Sequence, residues 1–481
     1  MKNDNLKSRA ISGMIWKFAE KIGTQGIQFI VQIVLARLLL PEDYGLVGLL
    51  TIFITICDVF VLQGFTTALI QKKDADKIDF SSVFYANIIM SALLYIILFF
   101  SAPLIAAFYN EPQLVSITRV LSLNVFLGAF SAVHNAIMSR SLEFKKSFIR
   151  GLSNVLTYGV VGLVLALLNF GAWSLVYAKL AGVFVGGITL WITVKWLPTF
   201  DFSLQRIKKL FRFSSKILGT NLLNTIFNNI HSLIIGKFYN QADLGYYQRG
   251  QQIPQTIMTA VDGSLNEVMY PTLSILQNDL VALKSALRRS IRTSMYLVLP
   301  ILFGLLVTAE PLTLVLLTEK WLPSVPYMQL ACVVCMFWPL SARTHALNAI
   351  GNSGLTFKLS LVSKAITLAL ILACVKFGIY AIMLGTIFAS CITFFITSYF
   401  VKKYINYSFK ETLYDIVPSL ILSLSMAFVV YLVRLASLHH LFCLFIQIFI
   451  GVFFYISFSL IFKIDSLNYI ISFLKKLTNK S

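Results

Sequence analysis

Lys17, Lys21, Gln25, Gln28 and Gln32 recur at steps of three or four residues through the stretch WKFAEKIGTQGIQFIVQIVLARLLLPEDY. That spacing puts all five on one face of a helix. Ammonium groups attract phosphate and acidic sugars, and primary amides offer donors and acceptors to sugar hydroxyls. The pattern returns in Asn221, Asn224, Asn228 and His231, and again in Arg249, Gln252, Gln255, Thr259, Asp262 and Asn266. A charged side chain at bilayer depth costs roughly 2.5–3.5 kcal/mol on insertion scales, so such faces are tolerated only against protein or water. Two readings follow: a path for a polar cargo, or polar seams between packed helices.

On the first reading the cargo-binding candidates are Lys17, Lys21, Gln25, Gln28, Gln32, Asn221, Asn224, Asn228, Arg249 and Gln252, with Lys179 and Lys216 as further cations. Lys17, near its helix start, equally fits a side chain snorkelling to the interface. Asp58, Asp262, Glu267 and Glu310 can carry a proton or sodium ion, or can each pair with a basic neighbour. Pro254 interrupts QRGQQIPQT and marks a hinge or a fixed kink. Arg119, His134, Arg343 and His345 read as capping or pairing residues. Cys332 and Cys335 form a CxxC, but no histidine or second CxxC stands at metal spacing, so they read as small packing residues and no metal is expected. The sequence holds no GxxxxGK[ST], HExxH or GxSxG, which leaves ATP-driven transport and hydrolysis without their chemistry. No enzyme activity and no organic cofactor are expected; the energy would come from an ion gradient, with a proton or sodium as the coupling ion, from the membrane potential, or from downstream consumption of the cargo.

These residues sit in a chain of 481 residues that is 58% hydrophobic and 12% charged. A soluble domain cannot cover that much apolar surface with so few charges. Apolar runs of about 20 residues, each long enough to cross a bilayer, recur from end to end and predict an all-α polytopic protein with about fourteen spans. The net charge of +20 is dispersed over alternate loops, among them Lys72, Lys73 and Lys77, then Arg140, Lys145, Lys146 and Arg150, then Lys284, Arg288, Arg289 and Arg292. That alternation is the positive-inside pattern, which places both termini in the cytoplasm and argues against nucleic acid as a partner.

The chain also repeats itself. NAIMSRSLEFKKS from Asn135 matches NAIGNSGLTFKLS from Asn348, and RLLLPEDYG (Arg37–Gly45) pairs more weakly with KFYNQADLG (Lys237–Gly245). Six spans separate corresponding elements, and an even number preserves orientation, so two parallel six-helix repeats are expected. The domain reading is an N-lobe at 1–199, an amphipathic cytoplasmic linker at 200–212 carrying Leu204, Ile207, Leu210 and Phe211, a C-lobe at 213–404, two further spans at 405–465, and an amphipathic cytoplasmic tail at 466–481.

The polar first helix running into RLLLPEDYG, Gln71-Lys72 after the second span, the Asn135–Lys145 stretch and FGAWSL (Phe170–Leu175) resemble polysaccharide transporter family flippases. The likeness is to the branch that exports O-antigen, colanic acid or teichuronic acid units, in the superfamily of the multidrug and toxin extrusion (MATE) transporters. It implies a two-lobed MATE-like fold in the bacterial inner membrane. It also implies movement of an undecaprenyl-diphosphate-linked oligosaccharide to the outer leaflet, with a polysaccharide polymerase and chain-length machinery as partners. The family has no strict catalytic signature to carry over. Cation-coupled drug or metabolite efflux is the alternative within transport. A membrane-embedded glycosyltransferase, polymerase or ligase is the alternative outside it, and such enzymes commonly need a large outward loop that this chain lacks.

Overall fold

The computed structural model describes residues 2–72, 74–141, 143–434, 439–464 and 466–467, with side chains described except at 2–15, 17–19, 22, 213, 216, 262–268 and 270–272. The described residues are helical with short connections, and they fall into two compact units, Met1–Gly245 and Tyr246–Ser481. The first unit contains α1 (Lys2–Leu38), α2 (Pro41–Asp58), α3 (Phe65–Gln71), α4 (Lys77–Tyr109), α5 (Leu114–Leu121), α6 (Leu123–Ser141), α7 (Phe144–Leu167), α8 (Ala172–Val194) and α9 (Leu204–Phe238). Helix α10 (Gln241–Ile275) starts in that unit and runs into the second. The second continues with α11 (Leu280–Leu316), α12 (Val325–Cys335), α13 (Ala342–Ala349), α14 (Ser353–Cys374), α15 (Ile379–Ile405), α16 (Phe409–Arg434) and α17 (His440–Ile461).

Eleven helical segments among the described residues are long and apolar enough to cross a membrane. The chain is a multi-pass membrane protein. Against the expected count of about fourteen, three long helices fall outside the eleven: α1 with 37 residues, and α9 and α10 with 35 each. These are the three that carry the polar stripes, and the stripes are what lower their hydropathy.

The linker read at 200–212 is not a separate element, because from Leu204 the chain runs as one unbroken helix to Phe238. Ile207 and Leu210, read as an interfacial face, are 8% and 7% exposed and pack with Phe65, Leu69, Val83 and Phe84 of α3 and α4. Burial against protein removes more apolar surface from water than partial insertion at an interface, so the helix turns this face inward. At this end of the unit Asp76 caps α4, with its carboxylate accepting from the Asp79 amide and from Arg206 of α9. Asp79 is fully buried and is paired with both Lys72 and Arg206. Arg206 beside it holds the Asp76 carboxyl down at about 2. This clamp keeps its full strength above the ordinary carboxylate range and gives way only as pH falls toward 2. Of the expected tail, the stretch from 468 onward lies outside the described residues.

At the opposite end α2 and α10 begin against one another. A Cβ added at Gly45 would lie 1.9 Å from the Gln241 carbonyl oxygen, and one added at Gly245 would lie 2.1 Å from the Pro41 carbonyl oxygen. Only a residue without a Cβ permits either approach.

In the second unit α16 and α17 are fastened to α11. Asp415 of α16 is fully buried and accepts from Arg288, Arg292 and the Tyr407 hydroxyl. Further along, Tyr296 donates to Ser459, while Tyr455 donates to the Tyr296 carbonyl.

Candidate functional site

Helix α1 presents three distinct faces. One packs on α7, where Ser147 donates to the Glu20 carboxylate at 2.6 Å and glycines admit α1 side chains: a Cβ at Gly159 would lie 2.7 Å from Val31, and one at Gly162 would lie 3.2 Å from Leu35. The second face is apolar and exposed, with Gly26, Ile30 at 62% and Val34 at 38%. The third carries the stripe, where Gln25 and Gln28 are exposed while Lys21 and Gln32 are half-buried. At roughly 100° per residue the two exposed faces lie about half a turn apart, with the α7 contact to one side between them. The Lys17 side chain lies outside the described residues. Glu20 drew no attention in the sequence because it sits one step off the stripe; its neighbour Lys21 hid it.

On α9, Asn224 and Asn228 are exposed and Asn221 and His231 half-buried; on α10, Gln255, Thr256 and Thr259 are exposed and Gln252 is half-buried. Each helix therefore keeps an amide- and hydroxyl-bearing strip uncovered by the chain. Arg249 departs from this pattern. It is 8% exposed, hydrogen-bonded to Gln252 and placed with its guanidinium 5.7 Å from the centre of the Trp321 ring. Gly250 explains the position: a Cβ there would lie 2.8 Å from the Ser324 carbonyl oxygen, so α10 closes on α12 and carries Arg249 into the unit. Arg249 belongs to the packing of its unit rather than to the exposed strip. Pro254 is buried within a helix that continues unbroken through it. The side chains of Lys216, Asp262 and Glu267 lie outside the described residues.

Of the ion-carrying candidates, Asp58 is close enough to Lys179 of α8 for the two charges to act on each other. Immediately after Asp58 the helix widens into a six-residue π-helix, Val59–Gly64, before resuming as α3. Such widenings recur at functional sites. Residue types gave no warning of it. Glu310 instead forms a 2.6 Å ion pair with Arg434 at the end of α16, with both groups more than a third exposed. Asp58→Asn leaves the half-buried Lys179 ammonium without the carboxylate it acts on and is expected to lower both the melting temperature and the protein level. Lys179→Met alone should lower the melt in the same way, and the double variant should recover it; a thermal melt of the purified protein checks this.

Cys332 and Cys335 are buried beside Met258, Leu302 and Met328 as packing residues. Arg119 and His134 meet carbonyl oxygens, Arg119 that of Phe99 and His134 that of Trp196.

A family model described as Polysaccharide biosynthesis protein matches residues 34–326. The chain belongs to that family. Among its relatives, the succinoglycan biosynthesis transport protein ExoT of Rhizobium meliloti is 29% identical over 357 residues, covering 73% of this chain and 72% of that protein. The fold is that of the lipid II flippase MurJ, with a TM-score of 0.76 at 17% identity over 95% of this chain and 100% of that one. It is also that of an inward-facing multidrug resistance MATE family transporter of the MOP superfamily, with a TM-score of 0.65 at 14% identity over 79% and 94%. This polysaccharide biosynthesis protein therefore shares its architecture with transporters and flippases, as the resemblance in its motifs implied.

Proposed function

We propose that the protein flips an undecaprenyl-diphosphate-linked oligosaccharide, an O-antigen or exopolysaccharide repeat unit, from the cytoplasmic to the outer leaflet by alternating access of its two halves. In this reading α1, α9 and α10 also cross the bilayer, giving fourteen spans in the cytoplasmic membrane with both termini inside. The observation that carries it is the division of α1 into an apolar exposed face and an amide-bearing exposed face on nearly opposite sides. Lipid accounts for the first; an amide row at bilayer depth needs water or a hydroxyl-rich cargo. Membership of a polysaccharide biosynthesis family and the succinoglycan transport role in the name of ExoT point to a glycan as that cargo. An ion gradient is the proposed energy source, with Asp58 and Lys179 as its contact.

Deletion tests the reading. Lipid-linked sugar is expected to accumulate in the inner leaflet while surface polymer disappears, and normal surface polymer with no stranded glycolipid would sink the proposal. Drug sensitivity on deletion without any glycolipid phenotype would instead point to small-molecule efflux. The double variant Gln25→Leu, Gln28→Leu should cut export about tenfold at equal protein level, since each hydrogen bond contributes about 0.5–1.5 kcal/mol.

A further inference from the structure

Within the second unit the candidate span Glu319–Ala349 is not one helix. It breaks after Cys335, passes through a 3-10 turn at Trp338–Ser341 and restarts as α13. Non-helical backbone at membrane depth is tolerated where it is buried in protein or lines a polar cavity. Beside this break lies a cavity of about 340 Å³ walled by α12 to α15. Its lining includes Ser341, Arg343, Ser363, Thr393 and Thr397, with Trp338 at its edge.

Arg343 is 3% exposed. Its Nε donates to the Leu340 carbonyl and one terminal nitrogen donates to Ser398, while the Phe394 ring covers its face at 4.4 Å. No carboxylate among the described residues pairs with it. The contrast within the same unit is sharp: Arg288 and Arg292 share Asp415, and Arg434 has Glu310. A guanidinium has five N–H donors, and two of Arg343's go to protein acceptors. A buried, uncompensated charge costs several kcal/mol unless something of opposite sign joins it. The Ser341 Oγ is buried in the same wall with no hydrogen-bond partner. Thr393 bridges to Ser363 across α14 and α15, so hydroxyls converge from three separate elements.

We propose that this cavity binds a phosphate-class oxyanion, held by the Arg343 fork and by hydroxyls of Ser341 and Ser363, the latter accepting from Thr393 and so keeping its own O–H to donate. Forked donors with surrounding hydroxyls match a tetrahedral oxyanion, and the volume admits a phosphate with a few waters. The group can arrive as inorganic phosphate or as the headgroup of an anionic phospholipid. The inference does not rest on the transport reading, because it concerns a different set of helices from α1 and needs no cargo.

The full-length protein, purified in detergent and stripped of lipid, is titrated with sodium phosphate against sodium gluconate at equal ionic strength. Trp338 fluorescence and the melting temperature are both followed. A saturating fluorescence change and a rise in Tm of about 2–4 °C, sharing one midpoint, are expected from ligand linkage. Arg343→Gln should abolish both. Should that variant fail to fold, Ser341→Ala and Ser363→Ala, which leave the arginine in place, should each weaken the midpoint about tenfold. Added phosphatidylglycerol that shifts the phosphate midpoint identifies a lipid headgroup as the resident; an unshifted midpoint identifies the free anion. A flat wild-type response to phosphate and to phosphatidylglycerol overturns the proposal, as does an unchanged midpoint in both hydroxyl variants.

Discussion

Gly45→Ala and Gly245→Ala are each expected to destabilise the protein by about 3 kcal/mol or more, at or beyond the upper end of ordinary overpacking costs. Alanine in a helix is otherwise favoured over glycine by about 1 kcal/mol, so helix propensity pulls the other way. The clash decides the sign because the obstacle at each site is a carbonyl of the facing helix, 1.9 Å away at Gly45 and 2.1 Å at Gly245. Neither carbonyl can rotate aside as a flexible side chain would. The contact is reciprocal: Gly45 meets Gln241, and Gly245 meets Pro41. Both partners stand four residues before the opposing glycine, so one substitution forces apart the start of both helices. Gly26→Ala and Gly219→Ala are the controls, since an added methyl there meets nothing within 4 Å and should be neutral or slightly stabilising. Melting temperature in detergent and the amount of protein in the membrane measure the difference. Equal melts for Gly45→Ala and Gly26→Ala would mean that α2 and α10 do not cross this closely.

That crossing shows both what could be read beforehand and what could not. The pairing of Arg37–Gly45 with Lys237–Gly245 was visible as a motif. That the paired glycines touch each other's helices was not visible, because self-similarity carries no distance. The helical stripes of α1, α9 and α10 were legible because a period near 3.6 survives any tertiary arrangement. The burial of Arg249 was not visible for a related reason: it sits in register with Gln252, but Gly250 draws that part of α10 into the packing, and one-dimensional spacing does not report the neighbour. The linker failed differently. Its amphipathic pattern was correct, yet the same pattern fits an interface or a protein wall, and α3 and α4 supplied the wall. The π-helix after Asp58 and the break at Trp338–Ser341 are backbone events. Pro339 alone hinted at the second; the first has no residue that demands it.

The other large effect is expected at Asp415, where truncation to alanine should lower stability by about 3 kcal/mol, the low end of the range for breaking a buried ion pair. Its carboxylate is fully buried and takes two hydrogen bonds of 2.8 Å from Arg288, one of 2.7 Å from Arg292 and one of 2.9 Å from the Tyr407 hydroxyl. Removing it takes away the carboxylate that Arg288, Arg292 and the Tyr407 hydroxyl share at the place where α16 meets α11. The low end applies because Arg288 and Arg292 are 30% and 33% exposed, so solvent screens part of the stranded charge. Glu411 gives the comparison. It pairs with Lys284 at 2.8 Å but is 32% exposed, and Glu411→Ala should cost no more than about 1 kcal/mol. Asp415→Asn keeps an acceptor for Tyr407 while losing the charge, and should fall between the two. Adding Arg288→Met to Asp415→Leu should recover part of the loss but not all, because the Arg292–Asp415 contact is still gone. The double variant matters most for the role of α16 and α17, which follow the expected repeats. If the partial recovery of the melt brings back the export proposed above to the same degree, fastening that pair to α11 is the whole task of the ion cluster; if export stays lost, the cluster does more.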